Sequence, residues 1–226
     1  NAYAEASKTV AIGIDAWGQS GDCIAIGNDA HARLGDCISI GRSSQAADVD
    51  AIAIGFDSQT GFGGQQAVAV GKNANAGGAQ SIAIGNNSTS SNAQTIAIGN
   101  GALSNNFQTV AIGDGAEATG VGAAAVGQYS AASGLYASAW GRTASAAGEG
   151  SVAFGQQAVV AFDKAGAVAM GRQVEAVDAD TTHVRALYIV APDGGTGGNG
   201  ITMLSPDGTA YKLTIANGGT LSISAV

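Results

Sequence analysis

Few side chains in this sequence have the chemistry for catalysis or metal binding, and their spacing gives them no shared task. The two histidines, His31 and His183, stand far apart, and neither falls in a motif with a serine, cysteine or carboxylate partner. The acids are scattered, so the paired carboxylates that glycan cleavage needs are missing. Gly194 to Ile201 has the glycine spacing of one calcium-binding nonapeptide, but that device works in tandem copies, and Asn199 stands where Asp is needed. Strings such as Gly120-Val-Gly122 mimic phosphate loops without the Gly-Lys-Ser/Thr ending or a following helix. These observations predict a protein that is not an enzyme and uses no cofactor and no metal.

Cys23 and Cys37 lie fourteen residues apart. That interval is the repeat described next, so the two occupy one position on successive turns of chain. Neighbouring parallel strands are about 4.8 Å apart, which a disulfide could span. The geometry along a parallel ladder is poor for one, and stacked free thiols are the simpler expectation.

The remaining chemistry is recognition. Trp17 and His31 stand at outward strand positions, where an indole can stack on a sugar ring and a histidine is most simply solvated. Phe62, Gln65 and Gln66 fall in one lengthened repeat, and Phe162 and Lys164 in another. The extra residues should bulge from the scaffold, where binding loops tend to sit. These seven are the candidate surface or receptor contacts, set against the plainer reading that the insertions are merely tolerated. Trp140 replaces a repeated isoleucine and reads as packing.

What positions these residues is a phrase, Ser81-Ile-Ala-Ile-Gly85, present in twelve copies. The copies close on Gly13, Gly27, Gly41, Gly55, Gly71, Gly85, Gly99, Gly113, Gly127, Gly141, Gly155 and Gly171, at intervals of 14 residues except two of 16. A period this strict means a solenoid, one unit per turn stacked on the next. The bulky positions of each phrase are two apart and share one strand face. Twenty-two of those twenty-four are Val, Ile, Met, Phe or Trp, the exceptions being Ala124 and Ser138. The residue between them is Ala in eleven copies and Ser39 in one, which predicts that the opposite face is also buried. Three and five residues after each Gly come small residues, such as Ala30 and Ala32, flanked by polar ones. Each rung therefore reads as two short strands and two tight turns, giving two parallel sheets face to face. The expectation is that bulky side chains on one sheet meet Ala or Ser on the other and that packing the alanine face against identical chains would add burial, while which strand face lines an oligomer axis is left open. Burial within one roll is thin against the entropy of ordering it, which predicts an oligomer. A net charge of −8 argues against a nucleic-acid partner. No apolar run is long enough for a membrane helix, so no membrane insertion is expected.

The phrase, with Ala three and five positions later, resembles the head domain of YadA-type trimeric autotransporter adhesins over residues 9–176. The resemblance implies a left-handed parallel β-roll, a homotrimer and attachment to surfaces. The full expectation is all-β: a left-handed parallel β-roll solenoid of about twelve 14-residue rungs, homotrimeric, followed by a small antiparallel β domain. Its parts are a roll over 1–177, a junction and Gly-rich connector over 178–200, and a meander over 201–226, with one further strand at Ala186–Val190. In a trimer, three copies of His183 could ring the axis and hold an ion, although a structural role is favoured. After Val177 no neck, heptads or membrane barrel of that adhesin class appear. The stretch from Leu204 to Leu221 is instead similar to C-terminal segments of bacteriophage tail-fibre and related virion proteins. The combined reading is a virion-located tail fibre that attaches to a host surface. Its partners would be itself, other virion fibre proteins and a host-surface glycan or protein. The alternatives are the head of an adhesin on a bacterial cell surface, and a structural spacer or collar fibre with no receptor.

Overall fold

The computed structural model describes residues 1–184 and the strands Gly200–Leu204, Ala210–Ile215 and Leu221–Ala225. As the period predicts, short strands alternate between two parallel sheets. Three-residue strands, from Val10–Ile12 to Thr182–Val184, make a thirteen-stranded triplet sheet, and two-residue strands, from Tyr3–Ala4 to Glu175–Ala176, make a thirteen-stranded doublet sheet. Each strand pairs in register with its equivalent one rung away, as Ile82 with Ile96 and Trp17 with His31. The chain divides into two compact units, 1–185 and 186–226. In the second unit the three strands pair antiparallel, with Leu213 opposite both Ile201 and Ile223. The strand expected at Ala186–Val190 lies outside the described residues.

The turns have a shorter period than the glycine phrase reveals. A residue with left-handed backbone recurs every seven positions, at Asp15, Asp22, Asp29 and Asp36 with φ between 53° and 59°. Such angles favour Asp, Asn and Gly, whose side chains tolerate or avoid the clash, and the run continues through Asn73, Asn87 and Gly101. A rung is thus two seven-residue halves, each reversing the chain once. The closing glycines have a separate reason. Gly41 has φ +136°, and a Cβ there would overlap the carbonyl of Gly55 on the next rung. Successive corners stack backbone on backbone and leave no room for a side chain.

Reversal every seven residues brings the two sheets so close that the interior accepts only small side chains. This corrects the expected packing. Ala25, Ala53, Ala83, Ala97 and the other middle alanines after Ala11 point inward and are fully buried, opposite Ala30, Ala32, Ala74 and Ala102, while Ala11 on the first triplet strand is half-buried. The largest fully buried side chains are Val160, Thr95 and Thr109. The bulky residues point outward and stay half-exposed, with Ile12 57% and Ile84 38% accessible. The alanine face therefore does not meet other chains. It lines the roll, and the isoleucine face is left outside.

Hydroxyls inside this narrow space bond across it. Ser39, the one exception among the middle alanines, lies 2.8 Å from Ser44, and Ser90–Thr95 and Ser104–Thr109 meet at 2.6 Å. Others return to the preceding turn, as Ser130 Oγ donates to the Gly127 carbonyl at 2.8 Å. Such pairs satisfy polar groups that would otherwise be costly to bury. Cys23 and Cys37 are free and buried, with sulfurs 3.3 Å apart and the Cys23 thiol 2.9 Å from the Leu34 carbonyl oxygen. Burial, reinforced by the neighbouring Cys23, pushes the Cys37 thiol up to about 12, so it stays protonated and unreactive at neutral pH.

Two measurements test this interior. Ala97→Leu should lower the thermal midpoint followed by circular dichroism, since overpacking a tight core costs ~1–3 kcal/mol, whereas Leu103→Ala on the outward doublet face should change it little. Ellman's reagent should detect no thiol in the native protein and both thiols after unfolding. A pair already bonded would stay silent in both states.

Candidate interaction surfaces

Trp17 and His31 come together on the outward face of the doublet sheet. Tyr3, Trp17 and His31 occupy one column on three successive strands. The Trp17 and His31 rings meet edge to face, 5.7 Å between centroids and 86° between planes. His31 Nε2 lies 3.1 Å from Asp29 Oδ1. Trp17 Nε1 and His31 Nδ1 are buried and have no hydrogen-bond partner among the described residues. Glu5 and Asp15 complete a shallow cleft with the three rings. Flat aromatic faces beside carboxylates can stack an apolar ring face and accept hydrogen bonds from hydroxyl or ammonium groups. Further along, the same column carries Gln45, Gln59, Asn75 and Thr89, so the aromatic patch is confined to the first rungs.

The two lengthened rungs each present a phenylalanine at the tip of the extra turn. Phe62 is 78% and Phe162 84% accessible. The first loop is clamped from below: Asp48, itself buried, accepts the Gly63 N–H and the Val49 N–H, each at 2.8 Å. The Arg33 guanidinium lies 5.1 Å from the centre of the Phe62 ring. In the second loop Lys164 pairs with Asp163 at 2.8 Å. That hydrogen bond holds Lys164 above its ordinary range and Asp163 below its own, so the lysine's charge is locally answered.

Gln65 and Gln66 separate from Phe62. Gln66 starts a ladder in which each amide donates to the one before it, Gln80 to Gln66 at 3.2 Å, Gln94 to Gln80 at 3.5 Å and Gln108 to Gln94 at 3.3 Å. The Gln65 carbonyl accepts the Gln80 N–H at 2.8 Å, and its side chain is exposed. A parallel ladder runs from Asn86 to Asn100 to Asp114, and Gln128 donates to Asp114 from the other side. His183 sits opposite Ala169, on the inward-facing position of the last triplet strand, with Nε2 2.7 Å from Thr181 Oγ1. It stands at the roll's end and is not on the bulky outward face. Among the described residues no three His, Cys, Asp or Glu side chains group as metal ligands.

The surface that sequence reasoning missed is the outward face of the triplet sheet. Its twelve repeated strands put two columns of Val, Ile, Met, Phe and Trp side by side, from Val10 and Ile12 to Val168 and Met170, interrupted only at Ala124 and Ser138 and with no charged residue among them. A signal existed. Uniform alanine between the bulky pairs is what a very narrow interior would demand, while isoleucine would not fit there.

The YadA head domain repeat matches residues 38–58, 63–88, 76–102, 104–130 and 132–158, together just over half of the chain. Among solved structures, the chain is similar to the collagen-binding domain of the Yersinia adhesin YadA. The identity is 21% and the TM-score 0.29, covering 84% of this chain and 81% of that one. No curated protein matches.

The Asp114 ladder yields a pH test. Hydrogen bonds from Asn100 and then Gln128 hold this carboxyl below its ordinary range. A group depressed in the folded state contributes stability above its unfolded pKa and loses it as pH falls through the folded value. A carboxyl-detected NMR titration of Asp114 should show a midpoint below that of a free aspartate, and Asn100→Ala should move it upward.

Proposed function

The chain belongs to the YadA head domain repeat family, and on that premise we propose that it is the head portion of a homotrimeric adhesive fibre displayed on a bacterial surface. The observation that carries this reading is the uncharged apolar face of the triplet sheet. Repeated strands at about 4.8 Å make it about 60 Å long and three residues make it about 10 Å wide, on the order of 600 Å² even as a flat strip. A biological interface buries about 1,000 Å² or more in total, which three such faces together exceed, so a face of this size suits lasting contact with other chains. A single chain leaves it half-exposed to water. Three copies turned about an axis parallel to the roll would close their faces into a triangular core, with doublet sheets and turns outside.

Such an assembly places the Trp17 cleft and the loops of Phe62 and Phe162 three times each around one rod. Weak contacts repeated in this way gain through effective concentration. The ligand classes that fit are a host-surface glycan stacked on Trp17 or an exposed protein surface with apolar and hydroxyl or ammonium groups. The function is adhesion without catalysis, and the described residues work through shape and repetition. A virion fibre is the second reading. It is favoured by one observation, the antiparallel strands Gly200–Leu204, Ala210–Ile215 and Leu221–Ala225, which depart from the parallel repeat.

Light scattering on the 226-residue protein should give three times the 21.9 kDa chain mass. Ile96→Asp, a charge on the apolar face, should reduce it toward one chain. The trimer should bind host cells, and combined Trp17→Ala, Phe62→Ala and Phe162→Ala should weaken that binding at least about tenfold without changing the mass. A single-chain mass for the unaltered protein, or no binding to any cell surface, would overturn the proposal. Detection of the chain on purified virions and not on cells would decide for the second reading.

A further inference from the structure

The two columns of the apolar face are uniform except in one place. The leading column, formed by the first residue of each triplet, is Val or Ile at every repeated strand except Ala124 and Ser138. The trailing column, formed by the last residue, carries its largest side chains beside and just above that gap. Val126, Trp140, Phe154 and Met170 follow one another in register, as do Ala124, Ser138 and Val152. Trp140, Phe154 and Met170 are 44%, 55% and 44% accessible in the single chain. The two small residues of one column thus stand at the heights of the valine and the tryptophan in the other.

We propose that this is a register key between copies: Trp140 of each chain seats in the notch over Ser138 and Ala124 of the next. The inference rests on the homotrimer proposed above. In a ring of three parallel chains related by rotation alone, equivalent residues share one height. Each triplet face has two columns, so at every corner of the triangular core the leading column of one chain meets the trailing column of its neighbour. At most heights two β-branched residues of similar size meet. At the Ser138 strand a serine meets a tryptophan, and the excess size of one fits the deficit of the other. The indole is also tall enough to reach the adjacent Ala124 level, about 4.8 Å away.

The key has work that the rest of the face cannot do. Isoleucine columns with a period of one rung look nearly the same after a slip of one rung, so they attract without fixing height, as flat repetitive strands do generally. In a closed ring a copy slipped by one rung shifts its two interfaces in opposite senses, so at one of them Trp140 is driven against Val152 and the Ser138 notch faces only Val126. Overpacking and cavity formation both penalise that arrangement. One large-for-small exchange in a uniform ladder is therefore enough to select a single alignment, as a lone polar residue does in a coiled-coil seam.

The test uses the full chain with Ser138→Ile, Trp140→Ile and both together. Ser138→Ile alone should set isoleucine against tryptophan three times per trimer and raise the concentration for half-dissociation at least about tenfold. The double variant restores the isoleucine pair of other levels and should return it to within about twofold of the parent. Compensation between chains is separated from compensation within one strand by mixing. Differently tagged Ser138→Ile and Trp140→Ile chains, refolded together, should form mixed trimers in preference to Ser138→Ile homotrimers. Should Ser138→Ile fail to fold, Trp17→Phe leaves Trp140 as the sole tryptophan, and its fluorescence in the assembled protein should be that of a buried indole. Additive single-variant effects, no preference for mixed trimers, or the emission of a solvated indole, in a protein that keeps its trimer mass, would overturn the key and leave the trimer standing. A single-chain mass for the parent would instead remove the trimer, and the key with it.

Discussion

The distance between the two sheets governs this molecule. A chain that reverses every seven residues cannot separate its sheets by the usual ~10 Å of a packed sandwich. The interior between Ala25 and Ala30, or Ala97 and Ala102, holds methyl groups, hydroxyls and thiols and nothing as large as leucine. Each buried alanine gives up little apolar area. Backbone ladders along both sheets, and hydroxyl pairs such as Ser90–Thr95, supply cohesion that side-chain volume supplies in thicker folds.

The same constraint sends the large apolar residues outward. A protein of ordinary thickness hides its isoleucines between its layers. Here they have no layer to enter, so the most hydrophobic surface of the roll is an outer one, and in the proposed trimer other chains bury it. In that proposed assembly stability and association are coupled, and the bulky residues belong to the outer face more than to the core.

Much of this was legible in the sequence. The glycine phrase gave the rungs, the strand pairing and the parallel solenoid, because each corner glycine is required by backbone stacked on backbone, as at Gly41 over Gly55. Which face of the strand is inside was not legible from alternation. Ile24-Ala25-Ile26 has two faces, and period two separates them without saying which is enclosed. That is decided by the half-rung length, visible only once Asp15 and Asp22 are both seen to be left-handed. The candidate contacts divided in the same way. Trp17 and His31 came together because they share a column one rung apart. Gln66 left the group because a glutamine at that corner finds other glutamines above it. The Asp48 clamp beneath Phe62 had no sequence signal, since it joins two loops across rungs.

Stacking also explains where individuality can reside. In a parallel solenoid every side chain meets its own equivalent a rung above and below. Amides tolerate this because they donate and accept, which is how Gln66, Gln80, Gln94 and Gln108 bond in series. A carboxylate only accepts, and Asp114 sits between two donors, Asn100 and Gln128, instead of against another acid. Residues that fit these ladders are committed to holding rungs together. Under the proposed function, recognition falls to positions where the ladder is broken: the rings at Tyr3, Trp17 and His31, the two phenylalanine loops, and the one exchange of size at Ser138 and Trp140. In a molecule built by repetition, the departures from the repeat are the places able to distinguish one partner, or one alignment, from another.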